Sequence, residues 1–92
     1  MPERLSDDAV DAALGRLSWT REGNELVKQV VKSDFVDAVR FVDALVPVAE
    51  AANHHPDIAI SWNKVTLRLS THSAGGLTQL DLDLAAKIDE LS

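Results

Sequence analysis

The chain has no cysteine and no tyrosine, and only two tryptophans and two phenylalanines among its 92 residues. Without cysteine there can be no disulfide framework and no thiol nucleophile, and metal ligands are limited to histidine and carboxylates. Basic residues are also scarce, because 9 Lys and Arg stand against 15 Asp and Glu and the net charge is −6. Such a chain repels phosphate backbones and anionic lipid, so we expect no direct binding to nucleic acid or to a membrane.

Long apolar runs are missing as well. The start of the chain, Met1 to Asp8, has no apolar core preceded by positive charge, and no run approaches membrane-spanning length. We therefore expect a cytoplasmic protein without a signal peptide. A chain of 92 residues has room for one domain, residues 1–92, and so small a domain favours self-association as a homodimer or homotetramer.

Two helices are predicted in the first half of the chain. Ser6 has the character of an N-cap for a short helix from Asp7 to Leu14. Ser33 is the predicted cap of a long amphipathic helix that runs through about Ala52, because apolar residues recur there at helical spacing. Asn53 is suited to the left-handed stop of that helix.

Strands are predicted in two pairs. Residues 19–21 and 26–31 flank Glu22-Gly23-Asn24, whose glycine and asparagine tolerate positive φ, as in a β-hairpin. If Asn63-Lys64 is the turn of the second pair, Trp62 faces Val65 and all apolar residues share one face. The same register, continued past the strand ends, places His55 opposite His72. The alternating apolar residues of the second pair are Ile58, Ile60, Trp62, Val65, Leu67 and Leu69.

A terminal helix completes the fold. Thr78 with Asp81 three residues later has the pattern of a capping box. The predicted apolar stripe of this helix consists of Leu80, Leu84, Ile88 and Leu91. The order α-β-β-α-β-β-α predicts an α+β fold, with a four-stranded antiparallel sheet and the helices packed on one face.

All three histidines lie in one part of the chain, His54 and His55 side by side and His72 after the last strand. Their concentration points to proton-transfer chemistry or to a metal, and imidazole can act as acid or base near neutral pH. The histidine pair could instead only cap the long helix, and Asp81 could only cap the terminal one. Glu50 is interpreted as a solvated helix residue.

A mononuclear metal site built from the three histidines and Asp81 has suitable donors for zinc. However, adjacent histidines lack the i, i+4 spacing that places two ligands on one helix face. We therefore rank this site below direct acid–base chemistry and predict no metal.

The spacing of these residues resembles the signature of the pterin-4a-carbinolamine dehydratases. The matching segments are Glu50-x-x-x-His54-His55-Pro56, Trp62-Asn63-Lys64-Val65, Thr71-His72 and Gly76-Leu77-Thr78-x-x-Asp81. Trp19 and Asp34-Phe35 also stand where that family has them, so the resemblance covers most of the chain. It implies the same α+β fold, assembled into dimers or tetramers.

The resemblance also implies an activity. The family are hydro-lyases that remove water from 4a-hydroxytetrahydropterin, giving quinonoid dihydropterin and recycling the pterin cofactor of aromatic amino acid hydroxylases. The reaction requires no cofactor. By resemblance, the catalytic set is His54, His55 and His72 as acid–base groups with Asp81 as a supporting carboxylate.

Four further residues flank this set where the family contacts the pterin ring, and they are Asn53, Ser70, Thr71 and Ser73. Asn53 and Ser73 stand where many relatives carry an acidic residue. The family fold also serves as a non-catalytic module, either a dimerisation cofactor for a transcription factor or an assembly factor for a carbon-fixing enzyme. Retention of all three histidines favours catalysis over that alternative.

Overall fold

The computed structural model describes residues 3–92, and within them the predicted order α-β-β-α-β-β-α is confirmed. Met1 and Pro2, the first residues of the segment examined for a signal peptide, lie outside the described residues. The elements are α1 (Asp7–Leu14), β1 (Thr20–Glu22), β2 (Glu25–Val31), α2 (Phe35–Ala52), β3 (Asp57–Ser61), β4 (Lys64–Leu69) and α3 (Gln79–Leu91). One turn of 3₁₀ helix, His72–Ala74, lies between β4 and α3.

The four strands form one antiparallel sheet in the order β1-β2-β4-β3. In its centre Leu26 pairs with Leu69 and Val30 with Val65, and these side chains belong to the same buried core as the helices. The helices therefore cover one face of the sheet, as predicted from the alternating pattern. No helix in residues 3–92 has the length and apolar character needed to cross a bilayer.

The predicted register of β3 and β4 was wrong by two residues. Trp62 and Asn63 form the turn, so Ile60 pairs with Val65 and not with Leu67. Asn63 fixes this turn through two hydrogen bonds to Lys32. Its side-chain Nδ2 donates to the Lys32 carbonyl at 3.0 Å, and its main-chain carbonyl accepts from the Lys32 amide at 2.8 Å. A shift of two residues keeps every side chain on its predicted face.

The corrected register also changes the predicted neighbour of His55. Continued past the strand ends, it sets His55 against Ser70, so the expected pairing with His72 was wrong. Pro56 separates His55 from the first paired residue of β3, and the regular ladder ends there.

The helix ends mostly follow the prediction. Ser6 caps α1 by accepting from the Ala9 amide, and Asn53 ends α2 in the left-handed conformation with φ 49°. Ser33 is not the cap of α2, however. Asp34 is, because its side chain accepts from the Asp37 amide at 2.8 Å.

The buried stripe of α3 differs from the prediction. Leu84 and Ile88 are buried as expected, but Leu80 and Leu91 are each 37% exposed. The buried residues of α3 are Asp81, Leu82, Leu84, Ala85 and Ile88, and all but Leu82 have the i, i+3, i+4, i+7 spacing of one helix face. Because the first position of this face is an aspartate, hydropathy alone assigns the start of the stripe to Leu80, one residue too early.

A partly buried polar contact joins α3 to the sheet. Lys28 lies on the core face of β2, and its Nζ is 2.6 Å from Asp89 Oδ1. Trp19, which is 5% exposed, donates through Nε1 to the same carboxylate oxygen at 3.0 Å and to the Ala85 carbonyl at 3.2 Å. Trp62, by contrast, is 68% exposed.

Strand β3 lies at one edge of the sheet, and all five of its residues are exposed. Ile58 and Ile60 project on the same side as the buried Leu67 and Val65 with which they pair, but no helix covers them. The chain alone thus leaves an apolar edge strand open to solvent.

Candidate active site

Asp81 is a buried carboxylate that connects three separate parts of the chain. It is 0% exposed, and its Oδ2 accepts from the Thr78 amide at 2.9 Å and from Thr71 Oγ1 at 2.8 Å. Its other oxygen, Oδ1, lies 2.5 Å from His54 Nε2. The predicted capping box is present, and the same carboxylate holds an imidazole.

The end of α2 positions His54. Asn53 turns the chain in the left-handed conformation, and the His54 amide then donates to the Ala49 carbonyl at 3.2 Å. This C-terminal turn leaves the side chain against α3, where it is 12% exposed. His54 therefore has one nitrogen held by Asp81 in a largely desolvated position.

His55 lies in a different environment. Its Nε2 contacts the Glu50 carboxylate, and the two side chains are 58% and 67% exposed. Sequence reasoning left Glu50 out of the site, because a glutamate on the polar side of a helix needs no special explanation. Glu50 lies in the last turn of α2, and the left-handed residue after the helix turns the chain so that His55 returns toward that turn. The position of Glu50 in the last helical turn is therefore the signal that could have identified it.

His72 begins the 3₁₀ turn and is exposed. It lines an open cleft of about 370 Å³ together with Asn24, Glu25, Ser70, Gly75 and Gly76. Thr71 and Gly76 close the loop around it, because the Thr71 amide donates to the Gly76 carbonyl at 2.9 Å. The cleft lies between this loop and the hairpin turn of β1 and β2.

The four residues predicted to contact the substrate lie in different environments. Ser70 shares the cleft with His72, and Asn53 and Ser73 are exposed. Thr71 is only 5% exposed, and its hydroxyl bonds to Asp81 rather than facing solvent. Thr78, which sequence reasoning treated only as a cap, shares that buried network.

The arrangement suits proton transfer at an open surface. A carboxylate that fixes an imidazole sets which ring nitrogen is available, and two further imidazoles stand on exposed segments. Within residues 3–92 no three side chains of His, Asp or Glu are grouped so that they could hold a metal ion.

Comparison with known proteins gives consistent results. The family model described as pterin 4 alpha carbinolamine dehydratase matches residues 3–91. A protein of Roseiflexus sp. (strain RS-1) is 54% identical over 92 residues, covering 99% of both chains. One of Nocardia farcinica (strain IFM 10152) is 52% identical over 91 residues, covering 98% of this chain and 96% of its own. Both are named "Putative pterin-4-alpha-carbinolamine dehydratase".

Two solved structures share the fold. The transcriptional coactivator/pterin dehydratase of Brucella melitensis matches with a TM-score of 0.91 and 29% identity, covering 97% of this chain and 98% of its own. A pterin dehydratase-like RuBisCO assembly factor of the alpha-carboxysome matches with a TM-score of 0.64 and 22% identity, covering 82% and 87%. At that identity the second likeness concerns the fold alone.

Proposed function

Because the chain belongs to the pterin-4a-carbinolamine dehydratase family, we propose that it removes water from 4a-hydroxytetrahydropterin by histidine acid–base catalysis. The observation that carries this proposal is the pairing of His54 with the buried Asp81 at 2.5 Å. An imidazole held in this way is prepared to exchange a proton with a bound substrate. The product is quinonoid dihydropterin.

The reaction balances without a redox partner. The C4a–O bond breaks and the hydroxyl leaves as water after it receives a proton, while N5 loses its proton as the C4a–N5 double bond forms. The site must therefore supply one acid and one base. His54, His55 and His72 are the groups to which we assign these two roles, and Ser70 beside His72 is a candidate contact for the pterin ring.

The direct test is the dehydration of synthetic 4a-hydroxytetrahydropterin by the purified protein. We expect the absorbance change of quinonoid dihydropterin formation to be accelerated well above the spontaneous rate, which is measured in parallel and subtracted. A rate equal to the spontaneous one over a range of protein concentrations would refute the proposal.

Activity is expected to survive exhaustive chelation, because proton transfer at a carbinolamine needs no Lewis acid. The measurement is turnover before and after dialysis against a chelator, together with elemental analysis of the dialysed protein. Loss of turnover that added zinc restores would instead favour the metal alternative.

We further propose that the chain forms a homodimer or homotetramer through the exposed edge of the sheet. Ile60, the second-to-last residue of β3, is 37% exposed and lies on the edge strand, where symmetric association would cover it. Light scattering at micromolar concentration should report a dimer or tetramer for the wild type, and a smaller species for Ile60→Lys. Ala12→Lys, which adds the same charge on the exposed side of α1, is the matched control. A monomeric wild type would contradict the expectation.

A further inference from the structure

Behind Asp81 lies a row of two buried hydroxyl groups. Thr78 Oγ1 is 2.8 Å from Thr71 Oγ1, which is in turn 2.8 Å from Asp81 Oδ2. The Leu80 amide points into the start of the row, at 3.2 Å from Thr78 Oγ1. Thr78 and Asp81 are 0% exposed and Thr71 is 5% exposed, so the row is closed off from solvent.

The direction of these hydrogen bonds follows from the number of protons that each group can donate. An ionised carboxylate only accepts, so the single hydroxyl proton of Thr71 goes to Asp81 Oδ2. Thr71 Oγ1 then has only lone pairs to offer Thr78, which must donate its own proton to it. The Leu80 amide donates to Thr78, and the whole row points toward the carboxylate.

Oδ2 of Asp81 is thus occupied by two donors, the Thr71 hydroxyl and the Thr78 amide. This holds the carboxylate with Oδ1 toward His54 Nε2, and because Oδ1 only accepts, Nε2 must carry a proton. In the neutral imidazole the bare nitrogen is then Nδ1. Asp81 Oδ1 therefore decides which nitrogen of His54 can exchange a proton with substrate, and the row holds the carboxylate in the position from which it does so.

We propose that Thr71 and Thr78 are positioning residues, whose hydroxyl row fixes Asp81 and thereby holds His54 in the tautomer with the proton on Nε2 and Nδ1 bare. The proposal deepens the proposed function and rests on it for its catalytic consequence. It assigns Thr71 a role other than the substrate contact expected from the sequence. With 5% of its surface exposed, Thr71 has little side chain left to offer a ligand.

Kinetics separate the two roles of Thr71. Thr71→Val keeps the shape and removes the hydroxyl, so we expect kcat to fall about tenfold, part of the 10²- to 10⁴-fold contribution of an acid–base group. KM should stay within about twofold. Thr71→Ser, which restores the hydroxyl, should recover most of kcat. Thr66→Val, on the opposite face of β4, is the control and should keep the wild-type kcat and KM. A raised KM with unchanged kcat in Thr71→Val, or wild-type kinetics, would overturn the proposal.

The tautomer itself can be measured without any turnover. Long-range ¹H–¹⁵N spectra of the full chain distinguish a protonated ring nitrogen from a bare one, and His54→Gln assigns the signals. In spectra recorded at increasing pH until the His54 signals no longer change, we expect wild type and Thr71→Ser to show protonated Nε2 and bare Nδ1. In Thr71→Val the carboxylate loses one of the two donors to Oδ2 and can turn away from Nε2, so we expect a mixture of the two tautomers.

A protonated Nδ1 in the wild type would overturn the proposal, and so would an unchanged tautomer in Thr71→Val. If Thr71→Val does not fold, Thr71→Ala removes the same hydroxyl and is tested for the same two outcomes. If the protein fails to dehydrate the pterin, the proposed function is wrong, whereas the spectra still test the hydroxyl row by itself.

Discussion

Alanine at any of the three histidines is expected to lower turnover by about 10²- to 10⁴-fold, the usual contribution of a general acid or base. His55 and His72 are exposed, so their replacement should leave the free energy of unfolding nearly unchanged. His54→Ala also deprives the buried Asp81 of a partner, and its stability should fall by about 1–3 kcal/mol. Turnover with saturating pterin and urea denaturation measure the two effects separately.

Asp43→Ala, on the exposed side of α2, is the control for the histidine variants and should keep wild-type turnover. Its rate corrects for differences between preparations. Wild-type rates in all three histidine variants would show that the reaction occurs elsewhere.

Asp81→Asn is expected to lower turnover to a similar extent, by about 10²- to 10⁴-fold, through His54. The amide oxygen can replace Oδ2 as acceptor for the Thr71 hydroxyl and the Thr78 amide. The amide NH₂ then faces His54 Nε2, and two donors cannot bond to each other, so the ring must change its tautomer or move away. Stability should fall by about 1–3 kcal/mol, because charge-assisted bonds are replaced by neutral ones.

The matched control is Asp83→Asn, two residues further along α3. Asp83 is exposed and accepts a hydrogen bond only from Gln79 among the contacts of residues 3–92. Loss of this carboxylate charge should change neither turnover nor the free energy of unfolding appreciably. If Asp81→Asn kept full turnover, a role for Asp81 in orienting His54 would be excluded.

Periodic patterns in the sequence predict the element order because each helix or strand has one buried face. Alternation of apolar residues through β4 and helical spacing through α2 depend on local geometry alone, and the strand and the helix that they predict are both confirmed. The register of β3 was not predictable in this way, because a shift of two residues buries the same face. It is set by Asn63 and Lys32, which are 31 residues apart.

Local signals predicted Asp81 as a cap and Asn53 as a helix stop, and both assignments are confirmed. They could not show that the cap carboxylate also touches His54, because that contact joins positions 27 residues apart. Thr71 illustrates the same limit. A polar residue in a signature suggests a ligand contact, and only the packing shows that its hydroxyl is directed inward.

The unlike surroundings of the two tryptophans provide separate optical probes. Trp19 is buried and shares Asp89 with Lys28, so its emission should report the docking of α3 on the sheet. Trp62 projects into solvent at the turn beside the exposed edge strand, where its fluorescence is open to quenchers. Trp19 emission thus reports unfolding, and Trp62 emission reports any partner that covers the sheet edge. Trp62→Phe leaves the Trp19 signal alone.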